Sequence, residues 1–203
     1  MLASLARNSA TEVSDRALAK DLRAVAPSIL PETVGEYLRL LRRVFAVEAQ
    51  AAWAPALRSR AVLRTSPKLH LVDPALAAAL IGAGRSRLEQ DLATLGTLFE
   101  SAAVHDLMAF ATRLGGEVRH YRDSNGHEVD AVVTLRDGRW AAVEVKLGGG
   151  QVAAGADSLA RAVAQLDPSL AGAPAFRLVL TGTGPTLTMA DGTITCPLSA
   201  LAP

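Results

Sequence analysis

The sequence predicts an α/β chain of the α+β kind, with an N-terminal winged helix-turn-helix followed by a mixed sheet flanked by helices. Three observations predict this. Apolar residues recur at helical spacing through residues 1–84. In residues 85–203 a long helical segment precedes three strand-like runs joined by Asn-Gly and Asp-Gly. A further helical segment then separates the third strand from a fourth, which is how a parallel strand is added to a sheet. The two stretches, 1–84 and 85–203, are read as separate domains.

Taken in order, Ser14 is placed to cap a helix over Asp15–Ala24, with Ala17, Leu18, Leu22 and Val25 as its apolar stripe. The run Pro27-Ser28-Ile29-Leu30-Pro31 breaks it. Pro31 suits the first position of a second helix and Glu32 its first turn. Val34, Leu38, Leu41 and Phe45 recur at helical spacing there, while Arg39, Arg42 and Arg43 lie mostly off that stripe. The segments Phe45–Trp53 and Val62–Val72 supply the wing strands. Pro74 starts another helix, ended by Gly82 and Gly84. The second domain opens with a helix over Leu92–Leu114, stopped by Gly115-Gly116. Strands follow at Glu117–Arg122, His127–Leu135 and Arg139–Leu147, then a helix over Val152–Leu166 and a buried strand over Phe176–Thr181, the one parallel addition. A hairpin around Asp191-Gly192 lies in the tail.

The chain has 203 residues, 50% hydrophobic and 20% charged, which suits a packed core and excludes a disordered chain. No apolar run approaches the roughly 20 residues of a spanning helix. Met1–Asn8 is too short and too polar for a signal peptide. The one cysteine, Cys196, excludes an internal disulfide and a Cys-based zinc site. The expected setting is the cytoplasm. Formal net charge is +1, yet seven cations between Tyr37 and Lys68 face the single acid Glu48, a basic stripe suited to phosphate backbones.

The chemistry concentrates in Glu128-Val129-Asp130 and Glu144-Val145-Lys146. On the third strand Trp140, Ala142, Glu144 and Lys146 share one face. Register decides whether Asp130 joins them. A two-residue loop at Asp137-Gly138 would set Asp130 opposite Val145. A three-residue loop, Arg136-Asp137-Gly138, with glycine in the left-handed position, sets it opposite Glu144 and is the predicted form. Two converging carboxylates with an adjacent lysine suit a hard divalent ion, Mg²⁺ or Mn²⁺, which polarises a phosphodiester and activates water. Asp130 and Glu144 are the candidate metal ligands. Lys146 is a candidate catalytic residue that serves the nucleophile, and Glu100, on the long helix, a further catalytic acid. Lys146 is one of three lysines against 18 arginines. Arg39, Arg42, Arg43 and Arg122 are the candidate nucleic-acid contacts.

Glu100, Asp130 and Glu144-x-Lys146 resemble the signature of the restriction-endonuclease-like, PD-(D/E)xK nuclease superfamily. A closer similarity spans almost the whole chain. Ser4–Asn8, Tyr37–Leu41, Ser66–Asp73, Leu98-Phe99-Glu100, Tyr121-Arg122 with Gly126–Asp130, and Val143–Lys146 resemble the region that follows the ATPase module in a large family of prokaryotic AAA-type predicted ATPases. The resemblance implies a winged helix-turn-helix joined to a nuclease-like fold. No G-x-x-x-x-G-K-[ST] run occurs, so ATP binding is not expected of this chain. It is read as a separated C-terminal part or as a stand-alone relative.

DNA is the expected partner, with an ATPase partner or missing ATPase module as the second; no membrane is implied. The rival reading keeps the fold without cleavage, as a docking or regulatory module. His70, His105, His120 and His127 show no metal-ligand spacing, and Cys196 has no evident activating base.

Overall fold

The computed structural model describes residues 1–55 and 66–201. It holds helices and two sheets, a mixed α/β architecture with one six-stranded sheet flanked by helices. The chain forms two compact units. Among the described residues the first holds 1–50 and 66–102, and the second holds 51–55 and 103–201.

The first unit begins with α1 (Leu2–Arg7), β1 (Thr11–Glu12), α2 (Asp15–Leu22) and α3 (Pro31–Arg43). It continues through β2 (Val47–Gln50), β3 (Lys68–Leu71), α4 (Pro74–Leu80), α5 (Arg85–Gln90) and the first part of α6 (Leu92–Arg113). Its sheet has the order β1-β3-β2, all antiparallel. Residues 62–65 of the second expected wing segment, and Arg58, Arg60 and Arg64 of the basic stripe, lie outside the described residues. Helix starts follow local chemistry. The Ser14 hydroxyl accepts from Ala17 N at 3.2 Å, Asp73 accepts from Ala75 N at 2.7 Å, and Pro31 and Pro74 open α3 and α4. Leu18, Leu22, Val34, Leu38, Leu69 and Leu71 meet in the core.

Three residues of the expected apolar stripes are not in it, the exposed Ala17 of α2 among them. Val25 and Phe45 are each 82% exposed. α2 stops at Leu22 and α3 at Arg43, so neither residue keeps the helical phase that would turn it inward. Phe45 takes φ 55°, a left-handed conformation in which the chain turns toward β2.

The second unit is built on a sheet of order β4-β5-β6-β7-β9-β8. Its strands are β4 (Glu117–Arg122), β5 (Glu128–Thr134), β6 (Trp140–Lys146), β7 (Arg177–Thr181), β8 (Leu187–Thr188) and β9 (Ile194–Pro197); α7 (Val152–Ala164) and α8 (Pro168–Ala171) lie between β6 and β7 in sequence. The crossover makes β6 and β7 parallel, as expected, and β9 adds a second parallel neighbour to β7 that sequence spacing did not announce. α7 packs Ala156, Leu159 and Ala162 against Val132, Ala142 and Val179. The Trp140 indole donates to the Ala171 carbonyl at 2.8 Å.

Residues 51–53 extend the sheet beyond β4. Trp53 N donates to His120 O at 2.7 Å, and His120 N donates to Ala51 O at 2.9 Å. Residue 120 sits where the β4–β5 register shifts, so its main chain pairs outward to this segment. The Trp53 ring then lies 5.0 Å from Trp140 and 6.0 Å from Tyr121, edge-on to the latter.

Candidate functional site

Two hairpins position the site. In the first, Asp123 accepts from Asn125 N and His127 N, and Gly126 takes φ 85°. Burial raises the Asp123 carboxyl, but the hydrogen bonds from His127 and Asn125 outweigh it and hold the group below its ordinary range. In the second, Leu135 N donates to Arg139 O at 2.9 Å and Gly138 takes φ 89°. This is the three-residue loop. Thr134 pairs with Trp140 and Ala131 with Val143, the register of the three-residue loop, and the paired ladder ends there, one residue short of Asp130 and Glu144.

The two carboxylates are held differently. Asp130 Oδ2 accepts from the main-chain N–H of Val145 at 2.8 Å. Glu144 is 6% exposed, and its Oε1 accepts from Lys146 Nζ at 2.8 Å. Lys146 keeps 28% of its side chain exposed. Gly155 of α7 lets the helix approach: a Cβ there would stand 3.4 Å from Lys146 Cγ and 3.1 Å from a Val179 methyl. Sequence reasoning passed over Gly155; its signal was a lone glycine inside a helical pattern.

The carboxylates of Asp130 and Glu144 are hard oxygen donors, the kind Mg²⁺ takes. Among the described residues no group of three or more His, Cys, Asp or Glu could hold a metal. An ion at Asp130 and Glu144 would therefore draw further ligands from water or substrate, as Mg²⁺ commonly does.

Glu100 belongs to the first unit, where its Oε1 accepts from the nearly buried Lys68 at 2.6 Å. The neighbouring His70 is buried, 3.0 Å from the Ser101 hydroxyl and 3.2 Å from Gln50 Oε1. Arg39, Arg42 and Arg43 are exposed on α3, with Arg39 3.8 Å from Glu36. Arg122 pairs with Glu128 at 3.1 Å. Cys196 is buried, and burial pushes its thiol up, away from nucleophilic use.

The second unit is thus a helix-flanked mixed sheet that carries a carboxylate pair and a lysine on adjacent central strands. Residues 95–201 match the family model described as domain of unknown function DUF4143, and the chain belongs to that family. Residues 1–87 match a second model, domain of unknown function DUF8612. Comparison with curated proteins and with solved structures found no match. Among the described residues no helix is long and apolar enough to cross a membrane.

Proposed function

We propose that this chain is a DNA-directed module with a divalent-metal-assisted phosphodiesterase centre at Asp130, Glu144 and Lys146, the C-terminal part of an AAA-type ATPase family protein. The observation that carries the reading is the 2.8 Å hydrogen bond from Val145 N to Asp130 Oδ2, which brings the Asp130 carboxylate to the strand that bears Glu144 and Lys146, the Lys146 amine lying 2.8 Å from Glu144. The element order helix, strand, two helices and two strands in the first unit supports a winged helix-turn-helix there. DUF4143 membership supports the placing of the chain with the C-terminal regions of AAA-type ATPase proteins, and the motifs at residues 126–130 and 143–146 support the nuclease-like reading of the second unit.

In this reading Asp130 and Glu144 hold Mg²⁺ or Mn²⁺, which when bound polarises the phosphodiester and lowers the pKa of water. Val145 N fixes the Asp130 carboxylate through Oδ2. Glu144 fixes the Lys146 amine, which orients the attacking water and then offsets negative charge on the phosphoryl oxygens. Arg39, Arg42, Arg43 and Arg122 contact the backbone of the DNA. The chemistry rests on Asp130, Glu144 and Lys146.

A second reading is an accessory module that docks on DNA or on an ATPase without cleaving. What favours it is that Glu144 and Lys146 are paired with each other, as a purely structural ion pair would be. The test is cleavage of labelled duplex, single-stranded and branched DNA with Mg²⁺ or Mn²⁺. Asp130→Ala and Lys146→Ala run alongside, with folding checked by circular dichroism. Cleavage abolished by both substitutions is expected. Salt-dependent binding without cleavage on any substrate would replace the first reading by the second.

A further inference from the structure

A groove of about 520 Å³ in the first unit lies far along the sequence from the carboxylate pair, between the start of α2, the middle of α3 and the approach to β3. Ser14, Arg16, Gly35, Arg39, Arg42 and Ser66 line it. The three arginines are exposed, and among the described residues neither Arg16 nor Arg42 makes an ion pair. Asp15 also lines the groove, its carboxylate packed so close to α3 that a Cβ at Gly35 would stand 2.7 Å from Oδ2. One acid against three guanidinium groups leaves a local excess of positive charge.

We infer that this groove binds phosphate groups, with Arg16 and Arg42 as the paired forks that grip them. Guanidinium presents donors in a planar fork that matches phosphate oxygens two at a time. The Ser14 hydroxyl accepts from Ala17 N and so keeps its own hydrogen to donate into the groove. α2 has its N-terminus at the same place, adding a fixed positive dipole end to the arginines. The ligand chemistry is a phosphodiester of a nucleic-acid backbone or a small phosphate compound. The exposure of Arg16, Arg39 and Arg42 favours the polymer. Arg16 extends the basic surface of α3 onto a second helix, so a backbone would be held from two sides. The inference rests on the DNA-directed reading for the polymer, not for the phosphate chemistry itself.

The test measures duplex DNA binding by fluorescence anisotropy across a salt series, and inorganic phosphate binding by calorimetry, for the full chain. The variants are Arg16→Ala and Arg42→Ala, with Arg85→Ala as an equal charge change outside the groove. Each groove variant is expected to flatten the log-affinity against log-salt slope by about 0.9, the share of one phosphate contact on B-DNA. Arg85→Ala is expected to keep the wild-type slope. Phosphate binding that needs Arg16, without duplex binding, would support the groove and assign it a small phosphate ligand. Wild-type slopes in both groove variants, together with phosphate binding indifferent to Arg16, would overturn the inference.

Cleavage measured in the same samples separates the two ideas. Cleavage that persists while Arg16 and Arg42 prove irrelevant to binding sinks the groove alone. Arg16-dependent binding without cleavage sinks the phosphodiesterase reading and leaves the groove standing.

Discussion

Replacing Gly155 by alanine sets two effects of similar size against each other. In an exposed helix interior this change stabilises by about 1 kcal/mol, because glycine loses more backbone freedom on folding. Gly155 is the fourth residue of the 13-residue α7, and it is buried. An added Cβ would stand 3.1 and 3.3 Å from the two Val179 methyls and 3.4 Å from Lys146 Cγ. Carbon pairs prefer about 3.5–4.0 Å. Val179 is fully buried on the strand between β6 and β9 and has little room to yield. Overpacking of this kind costs about 1–3 kcal/mol. The net expectation is a loss of up to about 2 kcal/mol, read by urea unfolding of the full chain. Ala154→Gly, one residue away on the exposed side of α7, calibrates the propensity part and is expected to cost about 1 kcal/mol. Because the strain falls partly on Lys146, the proposed phosphodiesterase reading expects DNA cleavage to drop further than the stability loss explains. A Gly155→Ala protein more stable than wild type by the full propensity gain would refute the close-packing argument.

Other outcomes are expected from the same structure. At Gly116 a Cβ would stand 2.5 Å from the Thr134 carbonyl oxygen and 2.8 Å from Leu135 Cδ2; since the backbone oxygen cannot swing away, Gly116→Ala should cost at least about 1–3 kcal/mol by thermal or urea denaturation. Leu159 is fully buried against the sheet, so Leu159→Ala should cost about 2–5 kcal/mol and lower the unfolding midpoint. The Ser4 hydroxyl and then the Arg7 guanidinium hold the Asp21 carboxyl below its usual 3.8. A depressed pKa contributes stability that is present above the unfolded value and fades as pH falls through the folded one. Asp21→Asn should therefore flatten the acid limb of the stability profile in chemical denaturation, and an unchanged limb would show that the carboxylate is not the cause.

Local chemistry carried much of the fold. Proline at the starts of α3 and α4 and the Ser14 cap acted within a few residues of the chain, so the elements they begin were readable in advance. The register of the β5–β6 hairpin was readable for the same reason. It depends on how many residues Arg136-Asp137-Gly138 spends in the turn, and Gly138 at φ 89° fits the three-residue form. Val25 and Phe45 were misplaced because periodicity does not say where a helix stops; each lies only two or three residues beyond its helix end. The pairing of Glu100 with Lys68 and the Arg16 groove depend on segments distant in sequence, about which spacing is silent. β9 beside β7 is of the same kind.

The short run Ala51–Trp53 also governs how the chain can be cut. It occupies the outer edge of β4 and brings an indole to Trp140 and Tyr121, yet it lies more than forty residues upstream of the matched region that begins at residue 95. A fragment trimmed to that region would carry a bare strand edge beside an uncovered tryptophan, the arrangement most prone to pair with another copy of itself. The stretch recognised by the family therefore lacks a hydrogen-bonded neighbour of β4 and a ring partner of Trp140 that the second unit has here. Dissection of this protein should keep residues 51–55 with the six-stranded sheet, even where that requires the entire chain.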